Sequence, residues 1–356
     1  MEPRFAAMSE VPADAVSDFL QSMGIAPALV RWKYFDARFN RGQGERGVVL
    51  LRGDQIVGFA GNSRFAYHDD GVRRYAHWVY DWLKNDAAGK GQGRRLFDES
   101  TRRCGLVLVP GGSHIAQHIF ETLSTWVVRE SYVTLTRPLR LDFVIGHLRT
   151  RLPTRVNQRV PEAVVDRLGR LPLPWRPRFM SRGLAADIVV GPGVSPGIEP
   201  LLEQPPSSSM RPIYDLEYID WALGRCPTIE SATTYVRRAP DKARAAVVHW
   251  RSTERADTGP DRSWRMALFA ESGAARELGA AIDHTLELAL DRRVHAVSTI
   301  AAKEDKSLLK LLRTRGFFPN RTLRPLWYFR RAGDTTKMVE LHGASYLDTD
   351  LAYRFS

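Results

Sequence analysis

The chain has 356 residues, of which 44% are apolar, and its formal net charge is +12. This length is sufficient for two domains of ordinary size. No apolar run reaches the roughly 18 residues of a transmembrane helix, and the N-terminus lacks the apolar segment of a secretory signal. The two cysteines, Cys104 and Cys226, form no CxxC pair, which argues against a disulfide framework and a structural zinc site. We therefore expect a cytoplasmic protein without a bound metal.

The positive charge comes mostly from arginine rather than lysine. Such a composition is typical either of a chain that uses arginine as its solubilising charge or of a protein with an anionic partner. Coenzyme A, nucleic acid, an acidic polysaccharide and an anionic membrane surface all fit the second case. The charge alone does not choose among them.

The first part of the chain predicts alternating helices and strands. Apolar runs separated by a polar glycine turn indicate a hairpin, and apolar residues on one side of a segment indicate a helix. The predicted elements are helices at 12–23 and 26–35, a hairpin of 47–51 and 55–60, a strand at 74–83, a helix at 94–104, a strand at 106–109, a helix at 114–123 and a final strand at 126–135. This order indicates an α+β fold.

Residues 137–182 differ in composition, with eleven arginines against three acidic residues. We interpret them as a helical connector, which is either a solvated linker or a basic face for an anionic substrate or membrane surface. Beyond it the order of the first part recurs. The second set comprises a hairpin of 235–238 and 245–248, a strand at 264–270, a helix at 275–291, a strand at 296–300 and a helix at 307–315. This recurrence predicts an internal duplication.

The segment that carries chemistry joins the strand at 74–83 to the following helix. Gly89, Gly91 and Gly93 alternate, so backbone N–H groups can approach a ligand without interference from a Cβ atom. The helix N-terminus adds unpaired N–H groups and the positive end of a dipole. With the charges of Lys90 and Arg94 beside it, this turn is expected to bind a pyrophosphate.

Two common phosphate motifs do not fit this turn. A Walker loop would require glycine at position 84, which is lysine, and serine or threonine at position 91, which is glycine. The Rossmann fingerprint would require glycine at position 94, which is arginine.

The segment resembles instead the acyl-CoA loop of the GNAT (acyl-CoA N-acyltransferase) family. Gly91 and Gly93 match the glycines of that loop, Leu83 matches its strand hydrophobic, and Asp81 stands where an acidic residue is common. Two positions depart from the family pattern, since Ala88 replaces the leading Arg or Gln and Asn85 replaces the usual Pro.

This resemblance implies an α+β fold of two tandem GNAT-like lobes, with mixed, mostly antiparallel sheets flanked by helices. The implied division is an N-terminal lobe at 1–140 with the acyl-CoA loop, an arginine-rich helical connector at 141–182 and a degenerate C-terminal lobe at 183–356. The paired lobes resemble acetyltransferases of exopolysaccharide and modified-sugar pathways. The residues that the resemblance assigns to acetyl-CoA are Leu83, Lys84, Gly89, Lys90, Gly91, Gln92, Gly93, Arg94 and Arg95.

The sequence leaves open which residues act as general acid and general base. The family often uses a tyrosine to protonate the thiolate, but here the corresponding position is about Phe120, and 110–125 contains no tyrosine. His77, Asp81 and His114 are the candidates for the base.

Strand alternation predicts that His77, Val79 and Asp81 share one face of their strand, where a histidine and a carboxylate could act as base and orienting group. It places an aromatic stripe on the opposite face, formed by Trp78, Tyr80 and Trp82. The stripe is either core packing or a wall of the acceptor site.

The function expected from the resemblance is that of an N-acetyltransferase of the EC 2.3.1 class. It would transfer an acetyl group from acetyl-CoA to an amine, expected to be an amino sugar or another small metabolite. One alternative is a Fem-type aminoacyl-tRNA-dependent transferase, motivated by the arginine-rich connector. The other is a non-catalytic CoA-binding or structural protein, motivated by the missing tyrosine and by the second lobe, which lacks a Gly-x-Gly loop. Nucleic acid other than tRNA is not expected as a partner, and the connector could contact a membrane surface.

Overall fold

The chain divides into two compact units that interleave along the sequence. The first comprises Met1–Ser131, Pro205–Pro227 and Arg324–Ser356, and the second comprises Tyr132–Gln204 and Thr228–Leu323. A computed structural model describes residues 2–36, 46–69, 72–104, 106–109, 118–119, 132–141, 143–145, 187–202, 211–213, 215–239, 242–253, 263–302, 305–321 and 328–331.

The first unit combines a large sheet with short helices. Its strands are β1 (Arg4–Ala7), β2 (Gly47–Arg52), β3 (Gln55–Asp69), β4 (Val72–Lys84), β5 (Leu106–Val109), β8 (Arg211–Ile213) and β14 (Tyr328–Arg331). Its helices are α1 (Ala13–Ser22), α2 (Pro27–Val30), α3 (Gln92–Arg103) and α5 (Leu216–Ile219), with π-helical turns at Arg31–Phe35 and Asp220–Gly224 and 3-10 turns at Met8–Glu10 and Asp86–Ala88.

The first sheet has the strand order β1-β2-β3-β4-β5-β14, with β8 paired to the far end of β3. Neighbouring strands are antiparallel except β4 and β5, which are parallel and are connected through α3. Leu96 of α3 packs against Val48, Leu50 and Val57 on one face of this sheet. The phosphate-type turn therefore lies where the chain leaves the carboxyl end of β4 and enters α3.

The second unit repeats this plan. Its strands are β6 (Tyr132–Pro138), β7 (Ile188–Pro192), β9 (Ile229–Ala239), β10 (Lys242–Ser252), β11 (Ser263–Ala270), β12 (Ala296–Ala302) and β13 (Phe318–Arg321). Its helices are α4 (Glu199–Leu202), α6 (Ala275–Asp291) and α7 (Lys306–Thr314), with a 3-10 turn at Pro196–Ile198. The sheet order is β13-β6-β12-β11-β10-β9-β7, in which β11 and β12 form the parallel pair on either side of α6.

In each sheet, the strand next to the second member of the parallel pair comes from a distant part of the sequence. In the first sheet, β14 from the end of the chain lies next to β5. In the second sheet, β6 takes the corresponding place next to β12. The sequence predicts that a strand at 126–135 closes the first lobe. In the structure, the described part of this segment begins at Tyr132 as β6, and β6 pairs with β12 in the second sheet. The contiguous division predicted at 140 and 183 differs from the interleaved units for this reason.

Most predicted elements with strong local patterns are confirmed. The helix at 275–291, the hairpins of β2–β3 and β9–β10 and the strands at 74–83 and 106–109 all occur at the expected places. The helix predicted at 26–35 is only partly right, because α2 ends at Val30 and continues as a π-helical turn. The predicted helix at 114–123 and the connector at 141–182 lie almost entirely outside the described residues. Within the part of the chain that is described, no helix is both long and apolar enough to span a membrane.

Candidate functional site

The turn between β4 and α3 has the conformation that its glycines allow. After a 3-10 turn at Asp86–Ala88, Gly89 has φ +84° and Gly91 has φ +79°, values that residues with a side chain rarely adopt. Helix α3 begins immediately afterwards at Gln92. Glycine is therefore required at 89 and 91 by backbone conformation, independently of any ligand.

The space in front of this turn is open. A Cβ atom added at Gly89 or Gly91 would have no heavy atom of the described residues within 4 Å. Gly91 is also the N-cap of α3, where no side chain caps the free N–H groups of the first turn. The turn thus combines unsatisfied backbone donors with empty space, as an anion site requires.

Three hydrogen bonds hold the turn against the sheet. The indole Nε1 of Trp82 donates to the Gly93 carbonyl over 2.8 Å, which ties the first turn of α3 to β4. The Trp82 ring also packs on Phe97, with centroids 4.9 Å apart. The backbone N–H of Asn85 donates to Val57, and the Arg52 guanidinium donates to the Ala87 carbonyl over 2.9 Å. The turn is consequently anchored at both ends, while Gly89 and Gly91 have open space in front of them among the described residues.

Basic side chains surround the turn. Lys90, Arg94 and Lys84 are exposed, and Arg94 makes a long ion pair of 3.9 Å with Asp98 of its own helix. The Lys84 stem lies close to Gly93, where an added Cβ would be 3.3 Å from its Cδ. Arg95 has its guanidinium 5.7 Å from the Phe5 ring centroid. These charges favour a ligand that carries more than one negative charge.

Next to the turn, β4 and β5 separate. Their parallel ladder is formed by His77 with Val107 and Trp78 with Leu108. Strand β4 continues to Lys84, so along 79–84 the edge that faces away from β3 has no strand partner among the described residues. Backbone groups on such an edge are available to hydrogen-bond a ligand. Leu83, which the sequence assigned to the cofactor, lies on this edge.

A β-bulge interrupts β4 at this gap. The register with β3 shifts between Phe59, opposite Leu83, and Gly61, opposite Tyr80, so β4 has one extra residue there. Asp81 lies in the extra stretch with φ +53°, one of two described residues other than glycine with a positive φ. Aspartate tolerates this conformation better than most residues. The bulge is the one place where the alternation of β4 fails.

The bulge corrects the predicted face assignment. Opposite residues in antiparallel strands share a face, and His77 pairs with Arg64. Arg64 is three residues beyond Gly61, so it lies on the opposite face from Gly61. Asp81 contacts the Tyr34 hydroxyl, which lies directly against Gly61. Asp81 and His77 therefore lie on opposite faces, and by the same reasoning Trp82 does not share a face with Trp78.

Asp81 is part of a buried cluster that the sequence did not reveal. Its Oδ2 is 2.5 Å from the Lys33 ammonium and accepts a hydrogen bond from Tyr34. The side chains of Lys33 and Asp81 are 0% and 3% exposed. Burial lowers the pKa of Lys33 from its ordinary value to about 8, and the Asp81 carboxylate opposes this effect. The sequence hints at this cluster only through Lys33, a charged residue between the aromatic residues at the end of the helix predicted at 26–35.

His77 lies on the other face, partly buried, and its Nδ1 has no hydrogen-bond partner among the described residues. Burial, and then the charge of Arg64, lower the pKa of His77 to about 4. The Arg64 guanidinium is itself held 3.6 Å from the Tyr75 ring centroid. His77 is thus neutral at pH 7. His114 and Phe120 lie outside the described residues.

The second unit lacks an equivalent turn. Between β11 and α6 the chain makes a short turn with positive φ only at Gly273, and α6 follows Ala274. A Gly-x-Gly loop is absent at this point, as the sequence indicated. Across the described ranges, no group of three or more His, Cys, Asp or Glu side chains could hold a metal ion.

By sequence, no protein-family model and no curated protein matches the chain. Solved structures do share its fold. A probable N-acyltransferase of unknown function from Enterococcus faecalis superposes with a TM-score of 0.56 at 14% identity, over 93% of this chain and 73% of that chain. A tandem GNAT protein from the clavulanic acid biosynthesis pathway superposes with a TM-score of 0.52 at 13% identity, over 94% of this chain and 99% of that chain.

A third structure is N-myristoyltransferase from Saccharomyces cerevisiae with bound myristoyl-CoA, with a TM-score of 0.50 at 11% identity over 93% of this chain and 78% of that chain. Identities this low establish the shared fold and no more. The expected α+β fold of two GNAT-like lobes is therefore confirmed.

Proposed function

We propose that the protein is an acyl-CoA-dependent N-acyltransferase that moves an acetyl group from acetyl-CoA to a primary amine. The observation that carries the proposal is the glycine turn at the N-terminus of α3, beside the edge of β4 that has no strand partner among the described residues. Pyrophosphate is the kind of anion that uncapped helix N–H groups and neighbouring lysine and arginine side chains bind. The shared fold supports the choice of acyl-CoA, because one structure with this fold holds myristoyl-CoA.

The proposed binding mode uses three parts of the first unit. The backbone of Gly89, Gly91 and Gln92 would bind the pyrophosphate, and Lys84, Lys90, Arg94 and Arg95 would supply its counter-charge. The outer edge of 79–84, including Leu83, would hydrogen-bond the amide groups of the pantetheine arm. Gly93 would keep the first turn of α3 close to β4.

The proposed reaction is direct acyl transfer. The amine nitrogen attacks the thioester carbonyl carbon, the carbon–sulfur bond breaks, the amine loses a proton, and the thiolate gains one. Backbone N–H groups at the β4 edge would stabilise the developing oxyanion. His77 and His114 remain the proposed proton acceptors, and the low pKa of His77 makes it a weak base that requires a neutral acceptor amine.

The acceptor is proposed to be an amino sugar or another small amine, and the proposed compartment is the cytoplasm. The aminoacyl-tRNA alternative drew on the connector at 141–182, most of which lies outside the described residues, so no described feature favours it.

Calorimetric titration of acetyl-CoA into the full chain tests the binding step. We expect a dissociation constant in the micromolar range that weakens with salt, because the site is built on exposed charges. Release of free thiol across a panel of amino sugars, polyamines and amino acids tests the reaction. Binding without amine-dependent thiol release would favour the non-catalytic alternative, and no binding would refute the proposal.

A further inference from the structure

The buried cluster at the β4 bulge joins two separate parts of the first unit. Lys33 and Tyr34 come from the π-helical turn after α2, and Asp81 comes from the bulge in β4. Both side chains reach the same carboxylate oxygen, Asp81 Oδ2. Tyr34 is 1% exposed, so all three polar groups are withdrawn from solvent.

The surrounding residues are shaped to admit the cluster. A Cβ atom at Gly61 would lie 2.2 Å from the Tyr34 hydroxyl oxygen, so only glycine at position 61 lets Tyr34 approach Asp81. The Tyr34 ring packs edge-on against Phe59, with centroids 5.0 Å apart. The Lys33 carbonyl accepts a hydrogen bond of 2.7 Å from the Arg46 guanidinium. The π-helical turn is therefore fixed to β3 and β4 at several points.

Stability alone gives little reason for this arrangement. Taking an ammonium and a carboxylate out of water is unfavourable, and well-packed apolar residues often serve stability as well or better. Glycine would adopt the positive φ of position 81 with less strain than aspartate. What the cluster does provide is a fixed position and orientation for the bulge, which is the best supported use of buried polar groups.

The bulge lies at a place where orientation matters chemically. It is located in 79–84, the part of β4 whose outer edge has no strand partner among the described residues. The extra residue of a bulge turns the neighbouring peptide groups away from the regular ladder. A peptide N–H that is held rigidly at a free edge can polarise a carbonyl oxygen, whereas a mobile one loses most of that effect.

We infer that Lys33, Tyr34 and Asp81 are positioning residues that hold the β4 bulge so that a peptide N–H at the outer edge of the strand polarises the acyl carbonyl. This inference rests on the proposed function, since it assigns the bulge to the same acyl-CoA site. Asp81 then acts through the backbone rather than as a base, in keeping with its burial and its ion pair.

The test separates binding from polarisation. Acetyl-CoA labelled isotopically at the thioester carbonyl is bound to the natural chain, and the carbonyl stretching band is measured by difference infrared spectroscopy. We expect a shift to lower frequency relative to free acetyl-CoA. The key variant is Lys33→Met with Asp81→Gly, which removes both charges of the buried ion pair and keeps a residue that accepts the positive φ. It is expected still to bind acetyl-CoA through the glycine turn, more weakly because the edge of 79–84 is held less rigidly, and to lose the band shift measured at saturating acetyl-CoA.

Two further variants serve as a substitute test and as a stability control. Tyr34→Phe removes one hydroxyl and keeps the ring packing, and we expect it to show a smaller band shift than the natural chain. It replaces the double variant as the test if the double variant fails to fold. Asp283→Asn, which removes a buried carboxylate bonded to Arg315 over 2.8 Å in the second unit, lowers stability without touching the bulge and should leave the band shift intact.

The outcomes are distinct. An unchanged band shift in the double variant, or in Tyr34→Phe should the double variant not fold, would overturn the positioning role while leaving the proposed function in place. A loss of the shift in Asp283→Asn as well would overturn it too, because general destabilisation would then explain the effect. No binding of acetyl-CoA to the natural chain would remove the proposed function, and this inference with it.

Discussion

Replacing Gly91 by alanine gives a sharp test of the glycine turn, because the chain contains a matched control in Gly24. Both glycines have strongly positive φ, +79° and +91°, and a Cβ atom at either position would meet no heavy atom of the described residues within 4 Å. Both alanine variants therefore place a Cβ atom on a residue with positive φ, and neither Cβ atom clashes with the described residues. They differ only in that Gly91 caps α3 in front of the proposed pyrophosphate site, whereas Gly24 follows α1.

The expected magnitudes follow from this geometry. A residue with a Cβ in the left-handed region costs about 1–2 kcal/mol, so each variant should lower the melting temperature by roughly 2–8 °C. In Gly91→Ala the methyl group also enters the space through which the phosphate approaches the N–H groups. Loss of one charge-assisted hydrogen bond is worth about 1.5–3 kcal/mol, or roughly a 10- to 100-fold loss of affinity.

The assay pairs thermal unfolding with calorimetric titration of acetyl-CoA for the natural chain and both variants. Equal losses of melting temperature with a loss of affinity only in Gly91→Ala would support the site. Equal affinity in all three chains would refute the placement of the pyrophosphate at this turn. Weaker binding in Gly24→Ala as well would show that backbone strain reaches the site from a distance.

Further predictions concern packing, pH and buried charge. Gly61→Ala should lower the free energy of unfolding by about 1–3 kcal/mol, because its Cβ would overlap the Tyr34 hydroxyl; Gly191→Ala in β7, where the space is open, serves as the control in denaturant unfolding. His249 has its pKa lowered to about 4 by burial and by a nearby arginine. The unfolded chain then binds a proton from about pH 6.5 downward, while the folded chain does so only near pH 4, so stability falls over this interval by at most about 3 kcal/mol. His249→Gln should reduce the pH dependence of the melting temperature between these pH values, while the share that comes from His77 remains; an unchanged slope would contradict the assignment. Asp283→Asn removes the counter-charge of two buried guanidinium groups and should cost about 3–5 kcal/mol in urea unfolding; a change below about 1 kcal/mol would show that the pair carries no net stability.

The sequence by itself determined the features that depend on neighbouring residues. The helix at 275–291 follows from the apolar spacing of its own residues, and the turn at 89–91 follows from glycines that alone accept positive φ. The prediction that this turn binds an anion rests on the same local pattern. These elements need no information from distant parts of the chain.

Only the tertiary structure decided the bulge, the buried cluster and the pairing of strands from distant parts of the sequence. Period-two alternation predicted one face for His77 and Asp81, but the register shift against β3 reversed it, and register is a property of two strands. Lys33 meets Asp81 across 48 residues of sequence, and β14 pairs with β5 across more than two hundred. Such contacts form between groups that no local pattern relates, because each depends on how distant segments pack. The sequence therefore predicted a phosphate site at the turn, and the packing of distant segments determined how the neighbouring strand is held.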